Sequence, residues 1–500
     1  MTSPPPRPSS PSRRTPRRVT YIHSRELVKV GDALPSNLAR SSLVHNLISS
    51  FNLLQDDTLN TTDSSDRRAR VVEPERATRK ELIEFHDQDY IDSLLGNSRS
   101  PSPSYSSDSS SSSSPPSRKR LKTSHPTRSH PSLIDDCPPF PLLPSYVPLI
   151  AGSSLTAARH LRDGISDVVL NWNGGRHHGE RSNAKGFCYV NDVVLAMMEL
   201  RKKPIIPHST LSHEEEEEEE EEPPRREAGK RKKLSKIMYL DLDLHHGDSV
   251  ESAFYTTPYI LTLSLHLHAP LFFPSTGSLD SSGPTANGKS KSKSKSHGGG
   301  HALNVALESG LGGESFERVW KIVQEVRESF EPDAVVVQCG LDGLNGDPCK
   351  EWNLSMKDFG SCISKILDWN LPTMFLGGGG YNHPNAARTW TYLTSICLGN
   401  PLPLDSLIPS SLSSRDYEQF SPSFTLNVES NDVVKDLNND LTLSNVEQVF
   451  RGYCRGLRER WGTRSKRAEE MEEREREVVR EKEERGKGKK RVRFEIESSS

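Results

Sequence analysis

The sequence predicts an α/β domain of three αβα layers around a mainly parallel central sheet. Three observations predict it: apolar runs of strand length alternate with helical stretches, the runs are too continuous for a half-solvated sheet, and polar groups gather at their carboxyl ends.

In chain order, the pattern opens with a helical stretch over 151–163 and a strand over 167–172, Asp-Val-Val-Leu-Asn-Trp. A helix over 191–200 leads to a strand over 237–243, and a helix over 248–254 leads to a strand over 260–266. Helical spacing returns over 314–330 before the strand 334–339, Ala-Val-Val-Val-Gln-Cys, and over 356–369 before the strand 373–376. A last helix covers 384–398. Parallel strands need crossovers of about a dozen residues or more, and the helical stretches supply them.

Composition sets the extent of this domain. The 500 residues are only 33% hydrophobic, with 35 Pro and 33 Gly, but five tracts account for the dilution: 1–18, 97–132, 201–235, 281–300 and 462–500. Without them the rest is about 42% apolar, ordinary for a folded domain. The tracts hold a Ser/Pro run, nine consecutive glutamates from Glu214 to Glu222, a Lys-Ser repeat and basic clusters, and cannot offset their ordering entropy by burial. We therefore expect a disordered basic tail at 1–18, one catalytic domain over 19–455 with disordered insertions at 97–132, 201–235 and 281–300, and a charged, disordered tail at 462–500. No apolar run is long enough to span a bilayer, and the Pro- and Arg-rich start has no signal-peptide core. Seven scattered cysteines without a CxxC pair fit a reducing compartment and argue against both a disulfide framework and a thiolate zinc site.

The chemistry lies at the strand ends, where open parallel sheets bind ligands. One strand runs into Asn171-Trp-Asn-Gly-Gly-Arg-His177-His178, another into Asp241-Leu-Asp243-Leu-His245-His246-Gly-Asp248. A third runs into Gln338-Cys-Gly-Leu-Asp342 and a fourth into four glycines before Tyr381. A strand period of two would put Asp241, Asp243 and His245 on one face. Asp243, His245 and Asp342 make an N/O donor set with open positions, which suits a catalytic zinc ion. A capping or salt-bridging role would explain Asp-Leu-Asp-Leu-His alone; Asp342 at a matching strand end favours the metal. Asp241 and Asp248 can each accept a ring N–H from His177 and His178, fixing tautomer and basicity for acid/base work. Tyr381 can donate to a developing oxyanion, and Phe187 and Phe273 can wall a narrow apolar tube.

These motifs, with Asp136-Cys-Pro, Gly186-Phe-Cys-Tyr-Val-Asn-Asp, Phe272-Phe-Pro-Ser-Thr-Gly and Gly346-Asp-Pro, resemble the class I zinc-dependent histone deacetylases. Arg40-Ser-Ser-Leu-Val-His-Asn-Leu is similar to the histone deacetylase 8 type. The resemblance runs from about residue 19 to about 455 and implies the arginase/deacetylase fold. It implies one catalytic Zn2+ on Asp243, His245 and Asp342, the acid/base pair His177 and His178 backed by Asp241 and Asp248, and Tyr381 polarising the acetyl carbonyl. Gly186, Phe187 and Phe273 would line the acetyl-lysine tunnel, with Asp136 at its rim. A monovalent cation, K+ or Na+, would sit at Asp241, Asp243, His245, Ser264 and Leu265, and a second at Phe254, Thr257 and Ile260.

The chain departs from the family pattern in four places. Arg176 stands where Leu or Trp is usual, Cys349 replaces a pocket Leu or Met, Leu271 replaces a Gly, and His301 replaces a tyrosine of the second cation site. The resemblance implies hydrolysis of N-acetyl-lysine on histone tails or other acetylated proteins, with a role in chromatin regulation and transcriptional repression. The basic runs 117–122 and 487–493 suit nuclear import or nucleic-acid contact as well as a merely solvated tail, so the nucleus is expected and also the cytoplasm; a corepressor complex is the expected partner, and no membrane and no sequence-specific nucleic-acid binding are expected. The competing readings are a catalytically weak chromatin scaffold and an amidohydrolase acting on non-histone acetyl-lysine or acetyl-polyamines.

Overall fold

The structure, a computed structural model, describes residues 17–55, 67–96, 136–205, 233–281 and 300–462. Most of the expected tails and insertions lie outside the described residues.

Eight parallel strands form one sheet in the order β2-β1-β3-β8-β7-β4-β5-β6. They are β1 (Val19–Ile22), β2 (Arg70–Val72), β3 (Val168–Asn171), β4 (Ile237–Asp241), β5 (Ile260–Leu267), β6 (Ala302–Leu307), β7 (Ala334–Gln338) and β8 (Thr373–Leu376). Alternate residues of the central strands enter two separate apolar cores, one on each side of the sheet. Met238 and Leu240 face one core with Val335, Val337 and Phe375. Ile237 and Tyr239 face the other with Val336, Met374 and Leu376. Helices cover both faces. The first core is closed by α2 (Arg40–Ser50), α8 (Gly313–Phe330), α9 (Met356–Asp368) and α10 (His383–Cys397). The second is closed by α1 (Arg25–Asp32), α3 (Arg79–Leu82), α4 (Gln88–Leu94), α5 (Leu143–Arg162), α6 (Asp192–Leu200) and α7 (Asp248–Phe254). The predicted three-layer α/β architecture is the observed one.

Several boundaries differ from expectation. The strands β1, β2 and β6 were not legible: β1 and β2 are only four and three residues long, and β6 follows a glycine run. The helix expected from 151 begins at Leu143 and carries Pro148 inside it, where a proline normally argues for a break. Arg17 and Arg18, assigned to the tail, are anchored: Arg17 donates to Leu367 O at 3.0 Å and Arg18 pairs with Asp167. At the other insertion edge, Ser235 N and Lys236 N both donate to Asp333 Oδ2, leading the chain into β4.

Most important for the site, β4 stops at Asp241 and does not reach 243. Side-chain carboxylates take over the backbone there: Asp243 N donates to Asp241 Oδ1 (3.1 Å) and His245 N to Asp243 Oδ1 (3.0 Å). Such local capture of backbone N–H groups ends a ladder. Leu242 and Leu244 remain buried, so the polar residues still face away from the core although the period is no longer that of a strand.

Two buried histidines tie stability to pH. Asn173 Nδ2 donates to His45 Nε2 (2.7 Å), so the proton on Nδ1 goes to Tyr21 Oη (2.6 Å). Asn191 N donates to His86 Nε2 (3.0 Å), and Nδ1 donates to Arg181 O (3.2 Å). Burial holds both rings neutral, His86 down at about 4 and His45 well below its ordinary value. Folded values below the unfolded one give stability that is present above pH 6.5 and lost below it, by about 1.4 kcal/mol per pH unit for each ring. Urea unfolding at pH 7.5, 6.5 and 5.5 should therefore show falling stability, with a shallower fall in His86→Gln than in the unmutated chain. Equal slopes would exclude this account.

Candidate active site

β3, β8, β7 and β4 are neighbours in the sheet, so the four chemistry-bearing strand ends meet at one edge. They surround a cavity of about 260 Å3 lined by His177, His178, Asp243, His245 and Tyr381, with Phe187 and Phe273 along it and Asp136 at its mouth.

His177 and His178 are placed by the turn after β3. Gly175 has φ +87°, and a Cβ there would lie 2.4 Å from Gly377 O, so the β3 and β8 loops touch through backbone alone. Asp192, at the start of α6, accepts from Gly175 N (3.0 Å) and Arg176 N (2.7 Å) and fixes the same turn. Each imidazole then meets the expected carboxylate, His177 Nδ1 with Asp241 Oδ2 at 2.8 Å and His178 Nδ1 with Asp248 Oδ1 at 2.9 Å. The two backing carboxylates differ in setting. Asp241 is fully buried and accepts also from Tyr239 Oη at 2.7 Å, whereas Asp248 is contacted by Lys185 Nζ.

The electrostatics separate the two rings. Burial opposes a charge on His177, but Asp241 and Asp243 outweigh it and raise the ring to about 9. Burial and the neighbouring His177 outweigh Asp248 at His178 and lower it to about 3. One ring therefore favours the cation and the other the free base.

His245 lies between the remaining carboxylates, with Nδ1 2.9 Å from Asp342 Oδ2 and 3.3 Å from Asp243 Oδ1. Two acids and one imidazole this close, with Cys349 Sγ also within 4.8 Å of the His245 and Asp342 donor atoms, fit a divalent metal by donor type and spacing. Burial and then Asp243 push Asp342 up to about 7, the repulsion that a shared cation would relieve. Asp243 is oriented by donors alone: Gln338 Nε2 (2.8 Å) and Gly379 N (3.0 Å) reach Oδ2, and His245 N reaches Oδ1.

Tyr381 is held through its backbone. Asp347 Oδ2 accepts from Tyr381 N (2.6 Å) and Asn382 N (3.2 Å). Its ring stands edge-on to Phe187 at 5.8 Å. Desolvation and then the charges of Asp342 and Asp243 raise the phenol well above 10, so it remains an O–H donor near neutrality. Phe273 packs against His178 at 4.9 Å and against His245 at 5.9 Å. Gly186 has φ +56°, and a Cβ there would sit 2.4 Å from His178 Cδ2. Its N–H donates to Asp136 Oδ2 at 2.7 Å, joining rim to wall.

The departures from the family pattern also have positions. Leu271 keeps φ +64° although it is not glycine, and is 98% exposed. The His301 ring accepts from Trp461 Nε1 at 3.2 Å, tying it to a helix over 440–462. β4 pairs with β5 so that Asp241 lies beside Ser264, whose hydroxyl meets His266 Nδ1 at 2.9 Å; Leu265 is buried in the core. Phe254 is buried at the end of α7, Thr257 N donates to Phe254 O at 3.0 Å, and Ile260 opens β5.

Sequence reasoning missed several supporting residues. Lys185 on Asp248, Gln338 on Asp243 and Asp347 under Tyr381 were given no role, although Gln338 and Asp347 lie within quoted segments. Arg40 is another: its guanidinium donates to the carbonyls of Gly378 (3.0 Å), Gly379 (3.1 Å) and Gly380 (2.8 Å) and stacks on Trp390. The available signals were a polar last residue on a buried strand, at Gln338, and the quoted segments that hold Arg40 and Asp347.

The chain is similar to known proteins over most of its length. The histone deacetylase domain model matches residues 34–206 and 226–397. Histone deacetylase 8 of Xenopus tropicalis is 32% identical over 437 residues, covering 87% of this chain and 97% of the relative. Histone deacetylase 8 of Danio rerio is 33% identical, covering 82% and 89%. Histone deacetylase 1 of Homo sapiens is also 33% identical, covering 87% and 75%, so identity does not separate the two types. The match spans most of the described domain and both halves of the cavity wall, and on that ground the chain belongs to the class I histone deacetylases, a family of hydrolases acting on acetylated lysine.

Proposed function

We propose that this chain hydrolyses N-acetyl-lysine on histone tails, with one Zn2+ held by Asp243, His245 and Asp342. The observation that carries the reading is one cavity lined by Asp243, His245, two carboxylate-backed histidines and Tyr381, with Asp342 2.9 Å from the His245 ring. When bound, the metal would polarise the acetyl carbonyl and acidify a water. The other steps belong to the chain. His178, neutral and with Nδ1 oriented by Asp248, takes the water proton and later delivers a proton to the leaving amine. His177, kept cationic by Asp241, supplies positive charge beside the developing oxyanion, to which Tyr381 donates its O–H. Phe187 and Phe273 exclude water around the lysine methylenes, and Asp136 holds the substrate backbone at the rim.

A monovalent cation, K+ or Na+, at Asp241, Asp243, His245, Ser264 and Leu265 belongs to the same reading, as do a nuclear location and work within a corepressor complex. Among the described residues no helix is long and apolar enough to cross a membrane.

The test is acetate release from acetylated histone-tail peptides by the full chain, with zinc content measured alongside. Release that tracks one zinc per chain and disappears on chelation is expected. A stably folded, zinc-loaded protein that releases nothing would instead favour a scaffold, and turnover of acetyl-polyamines alone would move the substrate class.

A further inference from the structure

The inner end of the cavity carries a guanidinium that no carboxylate among the described residues pairs with directly, Asp192 acting on it only through space. Arg176 is 6% exposed and lines the main cavity. It also lines a much smaller polar cavity, of about 10 Å3, whose other walls include buried Trp172, Trp390 and His45. That sharing marks the end opposite Asp136. Arg176 Nη2 donates to Asn173 O at 3.1 Å, while Nε is buried without an acceptor. The nearby carboxylate of Asp192 is turned to the backbone, accepting from Gly175 N, Arg176 N and Ser154 Oγ. The second guanidinium at the small cavity, Arg40, is occupied by three neutral carbonyls and brings no negative charge. Asn37 lines both cavities as well, with a buried, unpartnered Oδ1. Because its Nδ2 is paired only to the Ser36 hydroxyl, which both donates and accepts, the amide can turn to present N–H groups instead.

A buried guanidinium N–H without an acceptor is costly unless something completes it. The methyl of an acetyl group offers no acceptor. A carboxylate does, and planar pairing with a guanidinium is among the strongest and most selective hydrogen-bonded contacts. With the amide carbonyl between the metal donors and Tyr381, and the lysine chain leaving past Phe187 and Phe273, the acyl chain is the part directed toward Arg176.

We propose that the cavity accepts lysine acylated by a short dicarboxylic acid, succinyl or its near homologues, with the terminal carboxylate paired to Arg176. The inference rests on the amidohydrolase reading: water adds hydroxyl to the acyl carbon and hydrogen to the amine, the C–N bond breaks, and free lysine and the dicarboxylate leave.

The experiment compares succinyl-lysine with butyryl-lysine in one peptide sequence, two acyl groups of equal carbon number differing in charge. kcat/KM is measured with the full, zinc-loaded chain, and Kd with its Tyr381→Phe variant, in each case with and without Arg176→Leu. The unmutated chain should prefer the succinyl peptide, and Arg176→Leu should lower the succinyl-to-butyryl ratio by about tenfold or more in both measures. Arg176→Lys, which keeps the charge without the planar fork, should restore part of it. An unchanged ratio in Arg176→Leu overturns the proposal, because the carboxylate is then held by the metal. So does an unmutated chain that favours butyryl. If Arg176→Leu weakens only inhibition by free acetate, the arginine serves the released product and the proposal also fails. Absence of turnover on every acyl peptide would remove the amidohydrolase reading, while the Kd ratio would still decide the anion pocket.

Discussion

Tyr381→Phe is expected to lower kcat for acetyl-lysine hydrolysis by roughly 100- to 1,000-fold, the usual effect of deleting one oxyanion donor. KM should change little, because the hydroxyl serves the transition state more than the ground state. The structure favours a clean experiment. The loop is held by Asp347 through backbone N–H groups, and the ring packs edge-on to Phe187, so neither anchor uses the phenolic oxygen. The raised pKa keeps that oxygen protonated in the unmutated chain, and deletion therefore removes a donor and no charge. Acetate release with thermal unfolding as a control decides the matter: turnover within a few-fold of the unmutated chain at equal stability would exclude Tyr381 from the proposed mechanism.

Asp243→Asn should be at least as severe, and for a different reason. Every hydrogen bond that reaches the Asp243 carboxylate from Gln338, Gly379 and the His245 backbone comes from an N–H group. An asparagine must turn its own NH2 toward one of these sets, donor against donor, in a buried site where an unsatisfied group costs about 1–3 kcal/mol. It also removes one negative charge from the proposed metal donors. We expect zinc content to fall well below one per chain and acetate release to drop by more than about 1,000-fold, most of the barrier reduction supplied by metal and positioned water. Elemental analysis of the purified variant checks the first outcome independently of activity; full zinc occupancy would show that Asp243 is not a required ligand.

Much of this site was legible because its chemistry is written in short segments. The pairs His177 with Asp241 and His178 with Asp248 follow from a doublet and a strand-end acidic motif, and the structure brings both within hydrogen-bonding distance. Asp342 could be associated with Asp243 because both follow the carboxyl ends of buried strands, and β7 and β4 are indeed adjacent. The supports were less accessible. Arg40 lies in α2 and reaches the glycine loop more than 330 positions later, and Lys185 reaches Asp248 from a loop on the far side of α6. No local pattern encodes such pairings, since they depend on which loops the sheet order brings together.

The same division holds for the whole chain. Alternating apolar runs and helical stretches, together with the residue types at strand ends, were enough by themselves to determine a parallel α/β domain, five of its eight strands and the groups that gather at one edge. Those are properties of covalent order and of period, which need no partner to be read. Only the tertiary structure decided that β4 ends at Asp241 and that buried carboxylates raise the His177 pKa while burial lowers that of its neighbour. It alone left Arg176 buried without a directly paired carboxylate. Hydrogen-bond satisfaction and desolvation are set by neighbours far apart in sequence, and a residue's type does not disclose them until the chain has folded around it.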